Sequence, residues 1–106
     1  MSKIPGEFRG YAGEPESELD VAFLLGLLHD YLPFPMVVNS INDAFPDCEG
    51  VNPETEKPIR IELEVLSQNY VRHDHPLKGC DYIACWRDNW PEPKIPVISL
   101  EKIIEE

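Results

Sequence analysis

Between Pro58 and Val65 the chain alternates strictly, with apolar residues at 59, 61, 63 and 65 and polar ones at 60, 62 and 64. A period of two is the signature of a β-strand, so the pattern predicts a strand over 58–66 with one buried face and one open face. Glu62 and Glu64 then project to the same side, their Cα atoms roughly 6.5 Å apart at ordinary strand rise. Two like charges that close are unfavourable unless something positive sits between them. A further acid stands just upstream in Phe45-Pro46-Asp47. If Asp47 lies on a neighbouring strand, three carboxylates converge on one point, the donor set that a hard divalent cation such as Mg²⁺ requires.

The surrounding sequence supplies the other elements. Residues 1–15, with Pro5, Gly6, Gly10, Gly13 and Pro15, read as an irregular arm. Ser17 followed by Glu18 and Asp20 predicts a helix start, capped by the serine and with acids in the first turn. The helix is expected to reach about Tyr31 and to stop before Pro33 and Pro35. Leu19, Ala22, Phe23, Leu25, Gly26, Leu27 and Leu28 make it apolar over much of its girth, which predicts packing on two sides. Extended segments are expected from Met36 to about Asn42 and from Phe45 to Val51, with Gly50 and Asn52-Pro53 as turn signals. Ser67 to Pro76 reads as either a short helix or a loop. The run from Cys80 to Trp86 predicts a strand buried on both faces, and Pro96 to Leu100 a last short strand before a helical turn. The order is a mixed α/β arrangement, α-β-β-β-α-β-β. Its first three strands form an antiparallel meander, and the connection before the fourth is long enough for parallel pairing.

At 106 residues the chain is expected to form one domain, residues 16–106, behind the arm. Its 42% hydrophobic content supports a globular fold. The longest apolar run, Val21 to Leu28, is far short of the ~20 residues that span a bilayer, so no membrane association is expected. Met1 to Gly6 holds no apolar segment of the secretory kind. Cys48, Cys80 and Cys85 give an odd count without CxxC spacing, which predicts free thiols in a cytoplasmic protein. The formal charge is −11, and residues 1–57 hold eleven acidic side chains against three basic ones. No Lys/Arg cluster is present, so tight autonomous DNA binding is not expected.

Asp47, Glu62 and Glu64 have the outline of a metal-dependent phosphodiesterase site. Such chemistry needs an activated water and stabilised charge on the transferred phosphorus, and a divalent cation held by carboxylates supplies both. Glu18 offers a fourth carboxylate. The bland alternative makes Arg60, Glu62 and Glu64 the solvent face of a strand, with Arg60 paired across to an acid. Ser67, Gln68 and Asn69 follow the strand, where they could hold a water or a phosphate oxygen; Ser67 could equally cap a helix. His73 and His75 are auxiliary candidates for contacting phosphate or metal. With Cys80 and Cys85 they also compose a His-x-His-x₄-Cys-x₄-Cys zinc outline, although cysteines five apart on a strand should face opposite sides. Trp86 and Trp90 are stacking candidates or core. Asp81 is expected to cap its strand or pair with Arg72 or Arg87.

Taken together, Phe45-Pro46-Asp47-Cys48, Arg60-Ile61-Glu62-Leu63-Glu64, Ser67-Gln68-Asn69-Tyr70, His73-Asp74-His75 and Cys80-Asp81-Tyr82-Ile83-Ala84-Cys85-Trp86 resemble a group of small nucleases. These belong to the restriction-endonuclease-like superfamily, whose site is written PD-(D/E)xK. The resemblance runs from about Glu18 to Leu100. It implies a restriction-endonuclease-like mixed sheet flanked by helices and Mg²⁺- or Mn²⁺-dependent hydrolysis of nucleic acid. It makes Asp47 and Glu62 metal ligands and matches Glu18 to a first-helix acid of many members. Position 64 departs from the pattern, since Glu stands where most members place Lys. Glu64 would then position or deprotonate the water. Two rivals stand beside this reading: a catalytically silent copy of the fold serving as a subunit or adaptor, and a small zinc module. A nuclease this short is expected to work as a homodimer or beside a DNA-binding partner protein.

Overall fold

The computed structural model describes residues 14–42, 45–73 and 79–105. Helix α1 spans Glu18–Leu27 and starts as expected: the Ser17 side chain accepts from the Asp20 amide at 3.3 Å, and Glu18 and Asp20 occupy the first turn. It ends sooner than Tyr31. The His29 ring nitrogen Nδ1 lies 2.9 Å from the Gly26 carbonyl oxygen, an acceptor that another α-turn would use. The chain continues instead as a 3₁₀ turn, His29–Tyr31. Gly26 faces open space, because a Cβ built there meets nothing within 4 Å. A helical glycine costs about 0.5–1 kcal/mol relative to alanine, and no crowding among the described residues demands one here.

Five strands follow: β1 Val37–Ile41, β2 Cys48–Val51, β3 Pro58–Leu66, β4 Tyr82–Arg87 and β5 Val97–Ser99. A short helix, α2 (Asn69–Arg72), lies between β3 and β4, and α3 (Leu100–Glu105) closes the described chain. The sheet order is β1-β2-β3-β4-β5. β1, β2 and β3 pair antiparallel, while β3–β4 and β4–β5 pair parallel. The result is a mixed α/β fold, an open five-stranded sheet flanked by helices, in the element order the sequence predicts. At Gly50 a side chain would run into the Val37 carbonyl and the Met36 side chain, so glycine permits the β1–β2 approach. No helix among the described residues is long and apolar enough to cross a membrane.

The two faces of the sheet bury different clusters. On one, Ile59, Ile61 and Leu63 of β3 join Ala84, Trp86 and Ile98 under Val21, Leu24, Leu25 and Leu28 of α1 and Leu100 and Ile104 of α3. On the other, Tyr70 of α2 packs with Cys80, Ile83, Cys85 and Ile95, bordered by Phe45, Trp90 and Val97. Burying this apolar surface, at about 25 cal/mol per Å², is what holds helices to sheet.

Two expectations fail on this packing. α1 buries one side only: Leu19 is 79% exposed, and Phe23 and Leu27 also reach the surface. The polar face of β3 is not open either. Arg60 is exposed, but Glu62 and Glu64 are 3% and 0% exposed. α2 lies over that face and sets the buried Tyr70 close enough for both glutamates to act on its hydroxyl.

Asp81 chooses neither Arg72 nor Arg87. Its carboxylate accepts from the Arg60 amide at 2.8 Å and from Arg60 Nε and Nη2 at 3.2 Å, as the alternative reading of Arg60 had it. Arg87 pairs with Glu101, Nη2 to Oε2 at 2.6 Å. Trp86 lies in the core, and Trp90 stacks on Tyr70 with ring centroids 6.4 Å apart.

Candidate metal centre

The site forms where β2 stops and β3 does not. The antiparallel ladder ends at the Cys48–Ile61 pair, whereas β3 runs on to Leu66, paired only with β4. Strand β2 is shorter than the expected Phe45–Val51, and Asp47 sits at the step. Its Oδ2 accepts from the Leu63 amide at 3.1 Å, and its own amide donates to Glu62 Oε1 at 3.0 Å. A carboxylate thus replaces the partner that Leu63 lacks on the β2 side, which satisfies a buried donor. Asn42 fixes the turn from the other side: its amide donates to the Asp47 carbonyl at 2.6 Å and its Nδ2 to the Pro46 carbonyl at 3.3 Å.

Glu18 and His73 complete the group. Glu18 arrives from the first turn of α1, and His73 follows directly on α2. One donor atom from each of Glu18, Glu64 and His73 lies within 4.8 Å of the others. His73 Nδ1 is 3.3 Å from Glu64 Oε2. Beside them a cleft of about 140 Å³ opens, lined by Glu18, Leu19, Ala22, Ile41, Asn42, Asp47 and Leu63.

Burial and mutual repulsion dominate the electrostatics. Burial first, then the charges of Glu18 and Asp47 and a hydrogen bond with Glu18, push the Glu64 carboxyl up to about 8. Burial and the neighbouring Asp47 charge raise Glu62 as well, against the Asp47 backbone donor, which favours its ionised form. Both glutamates therefore hold protons that an ordinary surface glutamate sheds at acid pH. A divalent cation would stabilise the ionised forms. Two carboxylates and an imidazole fit such an ion, and the imidazole tilts the preference from Mg²⁺ toward first-row transition ions.

The structure gathers Glu18, Asp47, Glu62, Glu64 and His73. It distributes them differently from the expected Asp47–Glu62–Glu18 ligand set: Asp47 and Glu62 bind each other, and Glu18 groups with Glu64 and His73. Ser67 stands apart. Its buried hydroxyl donates to Asp88 Oδ1 at 2.6 Å and accepts from the amides of Asn89 and Trp90 at 3.0 and 3.1 Å. It does not cap α2, whose N-cap is Gln68. His75 lies outside the described residues.

Among the described residues no group of three potential metal ligands includes a cysteine. Cys80 and Cys85 share the Tyr70 cluster instead of facing opposite sides, because Cys80 precedes β4 and escapes its alternation. Their thiols donate to the Tyr82 and Ile98 carbonyls, and burial pushes them up to about 11 and about 12.

Two contributors were assigned no role from the sequence. Asn42 acts through a turn whose closure only the fold reveals, and Tyr70 through the face α2 covers. No family model matches the chain, and no curated protein or solved structure matches it.

Proposed function

We propose that this protein is a divalent-metal-dependent phosphodiester hydrolase acting on nucleic acid, built on a restriction-endonuclease-like domain with Glu-x-Glu in place of the usual (D/E)xK. One observation carries the reading: acids from α1, the β2 entry and β3 meet at a single step in the sheet, beside a histidine. Glu18, Glu64 and His73 would hold the cation, with Asp47 and Glu62 as the adjoining acidic wall.

A bound divalent ion would supply charge stabilisation for the phosphoryl oxygens and make an attacking water more acidic. The chain's own residues would handle the proton. Glu62, raised by burial and by Asp47, would accept one once the neighbouring cation has favoured its ionised form. The exposed His73, with Nδ1 3.3 Å from Glu64 Oε2, would keep that glutamate oriented toward the ion.

The test uses purified protein with single- and double-stranded DNA and RNA oligonucleotides, plus Mg²⁺ or Mn²⁺. Cleavage that disappears in both Asp47→Asn and Glu64→Gln supports the enzyme. Cleavage unchanged in both removes the site from consideration. The adaptor reading draws on a separate observation, the exposed apolar surface of α1 and β1, and predicts metal binding without cleavage.

A further inference from the structure

Beyond the acidic site lies a second feature, on the sheet face that α1 occupies. α1 packs over β3 and β4 and leaves the β1 end of that face uncovered among the described residues. The space between them is a trough of about 220 Å³, walled by Ala22 and Gly26 of α1 and by Met36, Val38 and Ile41 on the strand side. A bulge in the β1–β2 pairing, between Val38 and Ser40, sets Val38 and Ile41 on the same wall although they are three residues apart. Both are about half exposed.

The ends of the trough are acidic. At one end it shares Ala22 and Ile41 with the cleft that holds Glu18 and Asp47. At the other it shares His29, Leu32 and Met36 with a cleft that holds Asp30. No Lys or Arg occurs from Gly10 through Glu56, the whole stretch that supplies α1, β1 and β2. An occupant that is apolar along its middle and positively charged at its ends complements this lining, most strongly at the Glu18–Asp47 end, since Asp30 already lies 3.1 Å from the His29 ring.

We infer that this trough is the docking site for a basic, amphipathic helix of a partner protein. A helix laid beside α1 would extend the layer that already covers β3 and β4, the helix-in-groove mode of recognition. Helices pack with axes about 8–10 Å apart, and the lower end needs small residues at the contact. Ala22 and Gly26, one turn apart, provide them, and the open space over Gly26 acquires a use. A second copy of this chain is disfavoured by charge, because its matching surface carries the same negative sign. The apolar lining owes nothing to the hydrolase reading, but the Glu18–Asp47 end is shared with the proposed ion site, so peptide binding is measured with chelator present.

The experiment is a selection of helical peptides displayed on phage against the full-length protein, with sedimentation of the protein alone alongside. Enriched peptides are expected to carry apolar residues at i, i+3 or i+4 and i+7 and a net positive charge. Gly26→Trp, which fills the trough, and Val38→Lys, which reverses its charge preference, should each weaken binding at least tenfold. Circular dichroism shows that each variant is folded, and Gly26→Ala serves as the conservative control. Failure to enrich any peptide, an acidic or strictly alternating consensus, or binding indifferent to both variants overturns the inference. So does self-association that Gly26→Trp abolishes, since the occupant is then a second copy.

Discussion

Asp47 and Glu62 grip each other across the end of β2: the Asp47 amide donates to Glu62 Oε1 at 3.0 Å, and the Asp47 carboxylate takes the next amide along, that of Leu63, at 3.1 Å. The pair fixes the β2 entry to β3 and sets the first two acids of the cluster side by side.

Replacing Asp47 separates its structural and chemical roles. Asp47→Ala leaves the Leu63 amide buried without its acceptor and should cost about 1–3 kcal/mol. Asp47→Asn keeps an acceptor and should cost less. Both variants should lose at least tenfold in divalent-ion affinity. Thermal denaturation and calorimetric titration give the two numbers.

The raised glutamates set a direction for stability against pH. Glu62 and Glu64 are shifted upward in the folded chain, Glu64 to about 8, while an unfolded glutamate titrates near about 4.3. The folded state therefore binds more protons across that window, and stability falls as pH rises through it. In the presence of chelator, Tm should drop between pH 5 and pH 8, and Glu64→Gln should flatten the slope. Glu101, held down by its Arg87 hydrogen bonds, acts below its ordinary range and leaves the window clear. Metal binding runs the other way, because the ion needs ionised ligands, so its affinity should climb over the same interval. A chelated protein that gained stability on going from pH 5 to pH 8 would contradict this electrostatic picture.

His73 tests the identity of the ion. The residue is exposed, but its ring lies 3.3 Å from the buried Glu64 carboxyl, so His73→Ala should cost up to about 1–3 kcal/mol. It removes the only nitrogen donor of the three, and should weaken Zn²⁺ or Mn²⁺ binding about tenfold while leaving Mg²⁺ nearly unaffected. Competition against a chromogenic chelator measures all three ions. Equal losses for every ion would mean that His73 acts by charge alone.

For Ser67 only a loss of stability is expected. Its hydroxyl joins the end of β3 to residues 88–90, so Ser67→Ala should cost about 1–3 kcal/mol by stranding buried polar groups. Ion affinity should stay unchanged. A selective loss of ion binding, with Tm preserved, would return Ser67 to the site.

The alternation over 58–66 was enough to place the long strand at Pro58–Leu66 and to put Glu62 and Glu64 on one face. It could not say what covers that face. Periodicity reports which residues share a side, and burial depends on a separate element, here α2 with Tyr70, whose local signals were ambiguous between helix and loop. The partner of Asp81 was hidden for a related reason. Arg72 and Arg87 are nearer in sequence, but the β3–β4 register brings Arg60 alongside. Cys80 misled because alternation was applied across a residue that lies outside the strand. The acids were legible as a set, and their division into a bonded pair and a histidine-containing triple required the step between β2 and β3.

That step has a consequence for when the proposed ion site can form. Glu18, Glu64 and His73 come from three separate parts of the chain, and their donor atoms meet only once α1 and α2 have docked on the long strand. Uptake of the proposed ion would therefore double as a gauge of completed assembly.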